Sequence, residues 1–190
     1  MGLLNEGINE VIATTRFNAA PMGVFCREGQ FTLVLFSGSH TAHNIERDGW
    51  VVANIVHDPV LYVTTAFSDL PQDAFLPVTV KGRQMHRLGQ ADAWLAFDAV
   101  IGHRGSESMT ARLSPLYEEI LSSTVWPVNR GFNSIIDATV HATRYAVTRD
   151  PSLKHLIDYH AGIVRKCGGK RELEALGLLM RYIRKEKSSG

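Results

Sequence analysis

The stretch "LFSGSHTAHNIERDGWVVANIV", residues 35–56, decides the fold. Two apolar runs, "FTLVLF" ending at Phe36 and "WVVANIV" starting at Trp50, have the composition of buried strands. Between them "SGSHTAHNIERDG" is polar, opens on small and hydroxyl side chains and closes at Gly49, which predicts a short helix between two strands. A helix start leaves backbone N–H groups without partners and carries a partial positive charge. One hydroxyl, from Ser39 or Thr41, is enough to cap it. Here Ser37, Ser39 and Thr41 stand together, Gly38 lets the backbone be approached closely, and His40, His43 and Asn44 add donors one turn on. That surplus suits an anion, most naturally a phosphate. The segment is neither a Walker loop nor a G-x-G-x-x-G turn, so a nucleoside triphosphate or a Rossmann dinucleotide finds no support.

Upstream, "EVIATT" (10–15) alternates and is β-branched, and "AAPMGVFC" (19–26) follows after only "RFN", a tight hairpin spacing. The small side chains of "NAAPMGV" (18–24) leave a strand face open to a flat ligand, and Pro21 frees nearby backbone groups to meet the polar edge of a ring system. A flat bed and an anion pocket on one sheet describe a site for flavin mononucleotide, FMN. Downstream, "VLYVTTAF" (60–67) reads as another strand after an Asp58-Pro59 turn, "SDLPQDAFLP" (68–77) as a loop, and residues 91–103 and 108–121 as a hairpin in which Pro115 must sit at an edge or bulge. Many short strands with one helical crossover predict a barrel or closed sheet, mainly β with α.

The period changes in the last third. From Asn133 to Val147 the apolar positions Ile136, Val140 and Val147, with Ile135 and Ala146 beside them, fit one helical face. Asp150-Pro151 starts a second helix that stops at Gly168-Gly169. A third carries Leu173, Leu176, Met180 and Ile183 on one stripe, and the terminal "SSG" is expected to fray. Domains of 1–125 (barrel) and 126–190 (helical) follow. Asn133, Asp137, His141 and Arg144 share one polar helical face, preceded by Asn129 and Arg130. Its plain reading is a solvated surface. Its functional reading is a wall closing a flavin site, with His141 as proton donor and Arg144 as clamp for an anionic substrate.

The 190 residues, with a net charge of +1, have ordinary globular composition and no broad basic patch of the kind non-specific nucleic-acid binding needs. No apolar run approaches a membrane span, no signal peptide is evident, and Cys26 and Cys167 are expected as reduced thiols, so a cytoplasmic protein is expected. His40 and His43 are spaced like a zinc pair but lack further ligands, so no metal is expected. Nor is there a nucleophile elbow for Ser–His–Asp hydrolysis.

"NAAPMGV", "GSHTAHNI…GWVVANIV", "DP" and "TTAF" together resemble the FMN-binding split barrel, and Ser39, Thr41, Asn44, Ile45, Gly49 and Asn54 stand at the spacing of flavin reductase-like proteins. With "PVNRGFNSIIDATVHATRY" (127–145) added, the chain is most similar to a family of FMN-binding split-barrel proteins of archaea and methylotrophic bacteria that carries a C-terminal helical region and has no assigned reaction. The resemblance implies a homodimer with FMN near the subunit interface. The phosphate would lie at Ser39, His40, Thr41 and Asn44 and the ring along Asn18 to Met22, including Ala19 and Ala20; from this sequence's own residues, Ser37 and Arg130 are expected as further cofactor contacts. The turn "RFN" is shorter than the family's usual one. An oxidoreductase acting on a small substrate, with NAD(P)H as a transient partner, is the implied function. Readings of other classes are a non-catalytic flavin carrier and a barrel that binds a different, pterin-like aromatic ligand.

Overall fold

The computed structural model describes residues 2–185, the last of them by its backbone only, so the terminal "SSG" lies outside the described residues. The chain forms two compact units. One is the chain up to His57 together with Asp69–Thr124, and the other is Asp58–Ser68 together with the chain from Val125 onward.

The first unit is a closed antiparallel barrel. Its strands are β1 (Gly7–Thr15), β2 (Asn18–Arg27), β3 (Gln30–Phe36), β4 (Trp50–Ile55), then β7 (Ala93–Arg104) and β8 (Ser108–Ile120), in the order β1-β2-β3-β8-β7-β4. A separate hairpin pairs β5 (Phe75–Val80) with β6 (Arg83–Leu88). This is the expected split barrel. Alternation sends Val11, Ala13, Val24, Leu33, Leu35, Val51, Ala53, Leu95, Phe97, Ala111 and Leu113 into the barrel core. A second layer, Trp50, Val52, Trp94 and Ala96 against Val80 and Met85, seats the hairpin on the outer face. Pro115 lies beside a register shift where Phe97 faces Pro115 and Ala96 faces Tyr117, the irregularity its missing N–H requires.

Helix α1 (His40–Asp48) joins β3 to β4 and buries Thr41, Ala42 and Ile45. It ends at Gly49, whose φ of 68° is the left-handed cap conformation glycine adopts at no steric cost.

The strand expected over residues 60–67 is in fact helix α2 (Pro59–Phe67). The β-branched residues Val60, Val63, Thr64 and Thr65 favoured a strand, but Asp58-Pro59 is a helix start. The Asp58 carboxylate accepts from the amides of Val60 and Leu61, and Pro59 occupies the first turn, where its missing N–H costs nothing. The stretch 68–77, expected as loop, holds a short 3₁₀ turn (Gln72–Ala74) and the start of β5.

Helix α2 belongs to the second unit, with α3 (Arg130–Thr148), α4 (Pro151–Cys167) and α5 (Lys170–Lys185). Their core is Val63, Ile135, Ala138, Ala142, Tyr145, Ile157, Ala161, Val164, Ala175, Leu176, Leu179 and Ile183. The face of α3 thus differs from expectation. Small residues Ser134, Ala138 and Ala142 turn inward with Ile135, whereas Val140 is exposed and Val147 is 85% exposed. Small side chains let helices approach closely, and at Gly131 a Cβ would stand 2.5 Å from the Cα of Gly168. On α5 the buried stripe runs through Leu176, Leu179 and Ile183, with Leu173 exposed.

Candidate functional site

In the barrel unit, the structure draws the two sequence features together. Asn18, at the first position of β2, donates from Nδ2 to Thr41 Oγ1 in the first turn of α1 at 2.9 Å. Ser39 is the N-cap, its Oγ accepting from the Ala42 amide. Helix geometry leaves the amides of His40 and Thr41 without a backbone acceptor. Beside them the Ser37 Oγ is buried with no hydrogen-bond partner, and the position of a Cβ on Gly38 meets nothing within 4 Å. A buried hydroxyl without a partner costs free energy. An acceptor-rich anion at this helix end would satisfy it together with the two amides, so the residues present fit a phosphate group.

Asn44 is already engaged. Its Nδ2 donates to the carbonyl and hydroxyl of Thr15, and its Oδ1 accepts from Arg47. It therefore fixes the helix against the β1–β2 turn. The His40 side chain is exposed, so its backbone amide is the group at the helix end.

The expected bed is the first half of β2, whose pairing with β1 runs through Pro21 without a shift. Ala19, Ala20, Pro21, Met22 and Gly23 pair with β1 alone, because β3 joins β2 only from Val24 onward. Among the described residues this half of β2 thus has one strand edge without a sheet partner. Ala19, Ala20 and Met22 are half-buried along it.

Arg130, His141 and Arg144 stand in the helical unit. Arg130 is the first residue of α3, whose N-cap Asn129 accepts from the amides of Gly131 and Phe132. Arg144, Asn133 and Asp137 are exposed, while His141 is half-buried against His160 of α4, ring centroids 5.7 Å apart. The Nδ1 atoms of both imidazoles are buried and unpartnered, and Asp137 Oδ2 lies 3.9 Å from His160 Nδ1. Burial first, then His160, lowers the ionisation of His141 below the ordinary imidazole value. Among the described residues no three His, Cys, Asp or Glu side chains gather as a metal site would need.

Sequence reasoning missed how tightly the short β1–β2 turn is held. Arg16, in the left-handed region at φ 53°, forms a two-pronged ion pair with Asp48 at the end of α1, at 2.6 and 3.0 Å. That pairing holds the Asp48 carboxyl well down, at about 2. Phe17 packs on His86 of β6, ring centroids 4.6 Å apart, and meets Phe75 edge-on at 5.8 Å. Asn18 reaches Thr41. The residues 16–18 are adjacent in sequence but their partners lie in β6, β5 and both ends of α1, and no local pattern announces such a meeting. Asn54, quoted above for its spacing alone, proves to be a fully buried pin. It donates to the Ile12 carbonyl at 2.8 Å and to Thr14 Oγ1 at 3.0 Å, and it accepts from the Leu88 amide at 2.8 Å.

A split barrel with an open strand edge beside a helix start is thereby defined. The chain belongs to the family described as protein of unknown function (DUF447), whose N-terminal domain matches residues 9–122 and whose second part matches residues 129–181. It is similar to an FMN-bound protein of that family from Methanosarcina mazei, at 36% identity over 94% of this chain and 96% of that one, with a TM-score of 0.88. An FMN-binding protein from Thermus thermophilus, solved with bound 1-cyclohex-2-enone, shares the fold alone, at 9% identity over 62% of this chain and 72% of that one, with a TM-score of 0.51.

Proposed function

We propose that this chain is an FMN-binding flavoprotein, an oxidoreductase of flavin reductase-like type acting as a homodimer on a small substrate. The observation that carries the reading is the Asn18–Thr41 hydrogen bond, which sets the open edge of β2 beside a helix start whose Ser37 hydroxyl lacks a partner. The FMN-bound relative in the same family supports it.

When bound, FMN supplies the two-electron chemistry, and the protein's part is to hold and orient it. Ser37, Ser39 and Thr41, with the amides of His40 and Thr41, receive the phosphate. The free backbone groups of Asn18 to Met22 offer hydrogen bonds to a ring edge. Arg130 is assigned as a further cofactor contact. His141 is the proton-transfer group, and its lowered ionisation makes it neutral in neutral solution and hence an acceptor before it is a donor. Arg144 anchors an anionic substrate. With no dinucleotide fingerprint in the sequence, NAD(P)H acts as a passing reactant. The unpartnered half of β2 and the exposed Val34, Phe36 and Val100 on the barrel's outer surface favour a second copy of the chain as cover.

The test is the colour of the purified chain, followed by anaerobic titration with NADH and NADPH at ~450 nm, where the oxidised cofactor absorbs. Bleaching with turnover supports the enzyme. Bound FMN that no donor reduces would make the protein a carrier.

A further inference from the structure

We propose that Phe17 and His86 are positioning residues for FMN, forming the grip by which the β5–β6 hairpin holds the β1–β2 turn and, through it, Asn18, and that acid releases this grip. The inference rests on the cofactor reading above and concerns how that site is kept in shape. A two-residue turn joins paired Thr15 and Asn18, and each residue around it is anchored separately. Thr15 takes Asn44, Arg16 takes Asp48, Phe17 takes His86 and Phe75, and Asn18 takes Thr41. Three of the four anchors tie the turn to α1. Phe17 alone ties it to the hairpin.

Phe17 is half exposed, yet its ring is held in place, and the surface under it is an imidazole in an aromatic setting. His86 lies against Phe17 and within 6.4 Å of the Trp50 ring, and its Nδ1 is buried without a partner. Its own carbonyl accepts from Thr14 Oγ1 at 2.6 Å, which fixes the backbone and leaves the ring as the part free to respond. Phe17, Phe75 and Trp50 bring no charge, and the residue opposite it on β5 is Pro77. The charged group that bears on it is Arg16, which its ion pair with Asp48 holds nearby. Burial and the Arg16 charge both disfavour an imidazolium here, and Asp48 remains ionised throughout the relevant range. A protonated His86 therefore gains by turning to water. Phe17 then loses its support, and Asn18 its fixed approach to Thr41.

The experiment measures FMN affinity by quenching of flavin fluorescence, for the unmodified chain, Phe17→Ala and His86→Phe, at pH about 7.5 and about 5.5, on either side of the ordinary imidazole value. Phe17→Ala is expected to raise the Kd about tenfold, as when a binding-competent turn is populated a tenth of the time. Its urea midpoint should stay close to that of the unmodified chain, because the residue is half exposed. His86→Phe keeps a ring beneath Phe17 and removes the titration, so it should bind FMN normally at the higher pH. The phosphate's own ionisation near pH 6 gives every variant some common loss in acid. The unmodified chain should lose several-fold more than His86→Phe between the two pH values. Equal losses, or a Phe17→Ala chain that binds as tightly as the unmodified one, would overturn the grip. Failure of the unmodified chain to bind FMN at pH about 7.5 would overturn the cofactor reading, a different result.

Discussion

Asn18 and Thr41 are 23 residues apart and meet through a 2.9 Å hydrogen bond between side chains, one at the start of β2 and the other in the first turn of α1. The bond uses the Thr41 hydroxyl as acceptor and leaves its backbone amide available. Thr41→Ala and Ser37→Ala should each weaken FMN binding by about 1–3 kcal/mol, the usual loss for a hydrogen bond to a charged group. Ser39→Ala should cost a similar amount in binding and up to about 1 kcal/mol in folding as a lost cap. Riboflavin lacks the phosphate, so it should bind far more weakly and be nearly indifferent to Ser37→Ala. Equal affinity of the unmodified chain for both ligands would refute the anion pocket.

Asn54 is a structural test in the same unit. Removing its side chain strands the Leu88 amide, so Asn54→Ala should cost about 1–3 kcal/mol from that donor alone. Asn54→Leu, which adds bulk without polarity in a fully buried place, should cost at least as much. Urea unfolding followed by tryptophan fluorescence reads both, and a midpoint unchanged in either would show the pin to be dispensable.

The helical unit should be acid-sensitive through His141. Its folded-state ionisation lies below the unfolded value, so in the window between them the unfolded chain binds more protons. Its contribution to stability is therefore complete above the ordinary imidazole value and is lost as pH falls through that value toward the lower, folded one. His141→Gln should flatten this part of the stability profile. Thermal melts of both chains at pH about 7.5 and about 5 decide it, since parallel losses would assign the acid sensitivity to other groups.

The same substitution tests the chemistry. If His141 moves a proton, His141→Gln should slow turnover and remove one ionisation from the rate profile while leaving FMN bound. Arg144→Ala should raise KM for an anionic substrate with little change in melting temperature, because the side chain is exposed. Kinetics and pH profiles identical to those of the unmodified chain would make this helical face structural.

Assembly is tested by light scattering of the FMN-bound protein at micromolar concentration. The expected result is twice the mass of one chain, and a monomer that retains flavin would contradict the proposed dimer.

Much of the barrel was legible because apolar alternation survives in β3, where one face meets a core, and because β4 and β7, covered on both faces, read as apolar runs. The hairpin β5–β6 was not, since Lys81 to Arg87 is mostly polar and only Met85 is buried within that stretch. Helix α2 was misread because burial on a helical core tolerates the β-branched residues that mark strands, and the decisive signal, Asp58 before Pro59, serves both a turn and a helix start. The inward face of α3 escaped because its contact depends on small side chains, which carry little hydrophobic signal. Of the candidate site, the helix start was visible in its hydroxyls. The anchoring of the turn was not, because Phe17–His86 and Arg16–Asp48 are distant pairings made only once the sheet has closed.

The discontinuous helical unit has a consequence for biosynthesis. Asp58, the cap of α2, is held by Arg171 of α5, which lies 113 residues further along the chain. Tyr182 stacks on Phe67 and shares a hydrogen bond with Ser68. A ribosome adding about 5–20 residues per second would thus leave α2 waiting many seconds for the helix that covers it. The strands that follow α2 can meanwhile pair, β5 with β6 and β7 with β8, which shortens the loop that α5 must later close. Helix α3 can cover part of α2 sooner, Tyr62 meeting Phe132 edge-on at 6.2 Å, but the side of α2 that Arg171 and Tyr182 close stays open until α5 is made, and a chain that stops before α5 leaves it so.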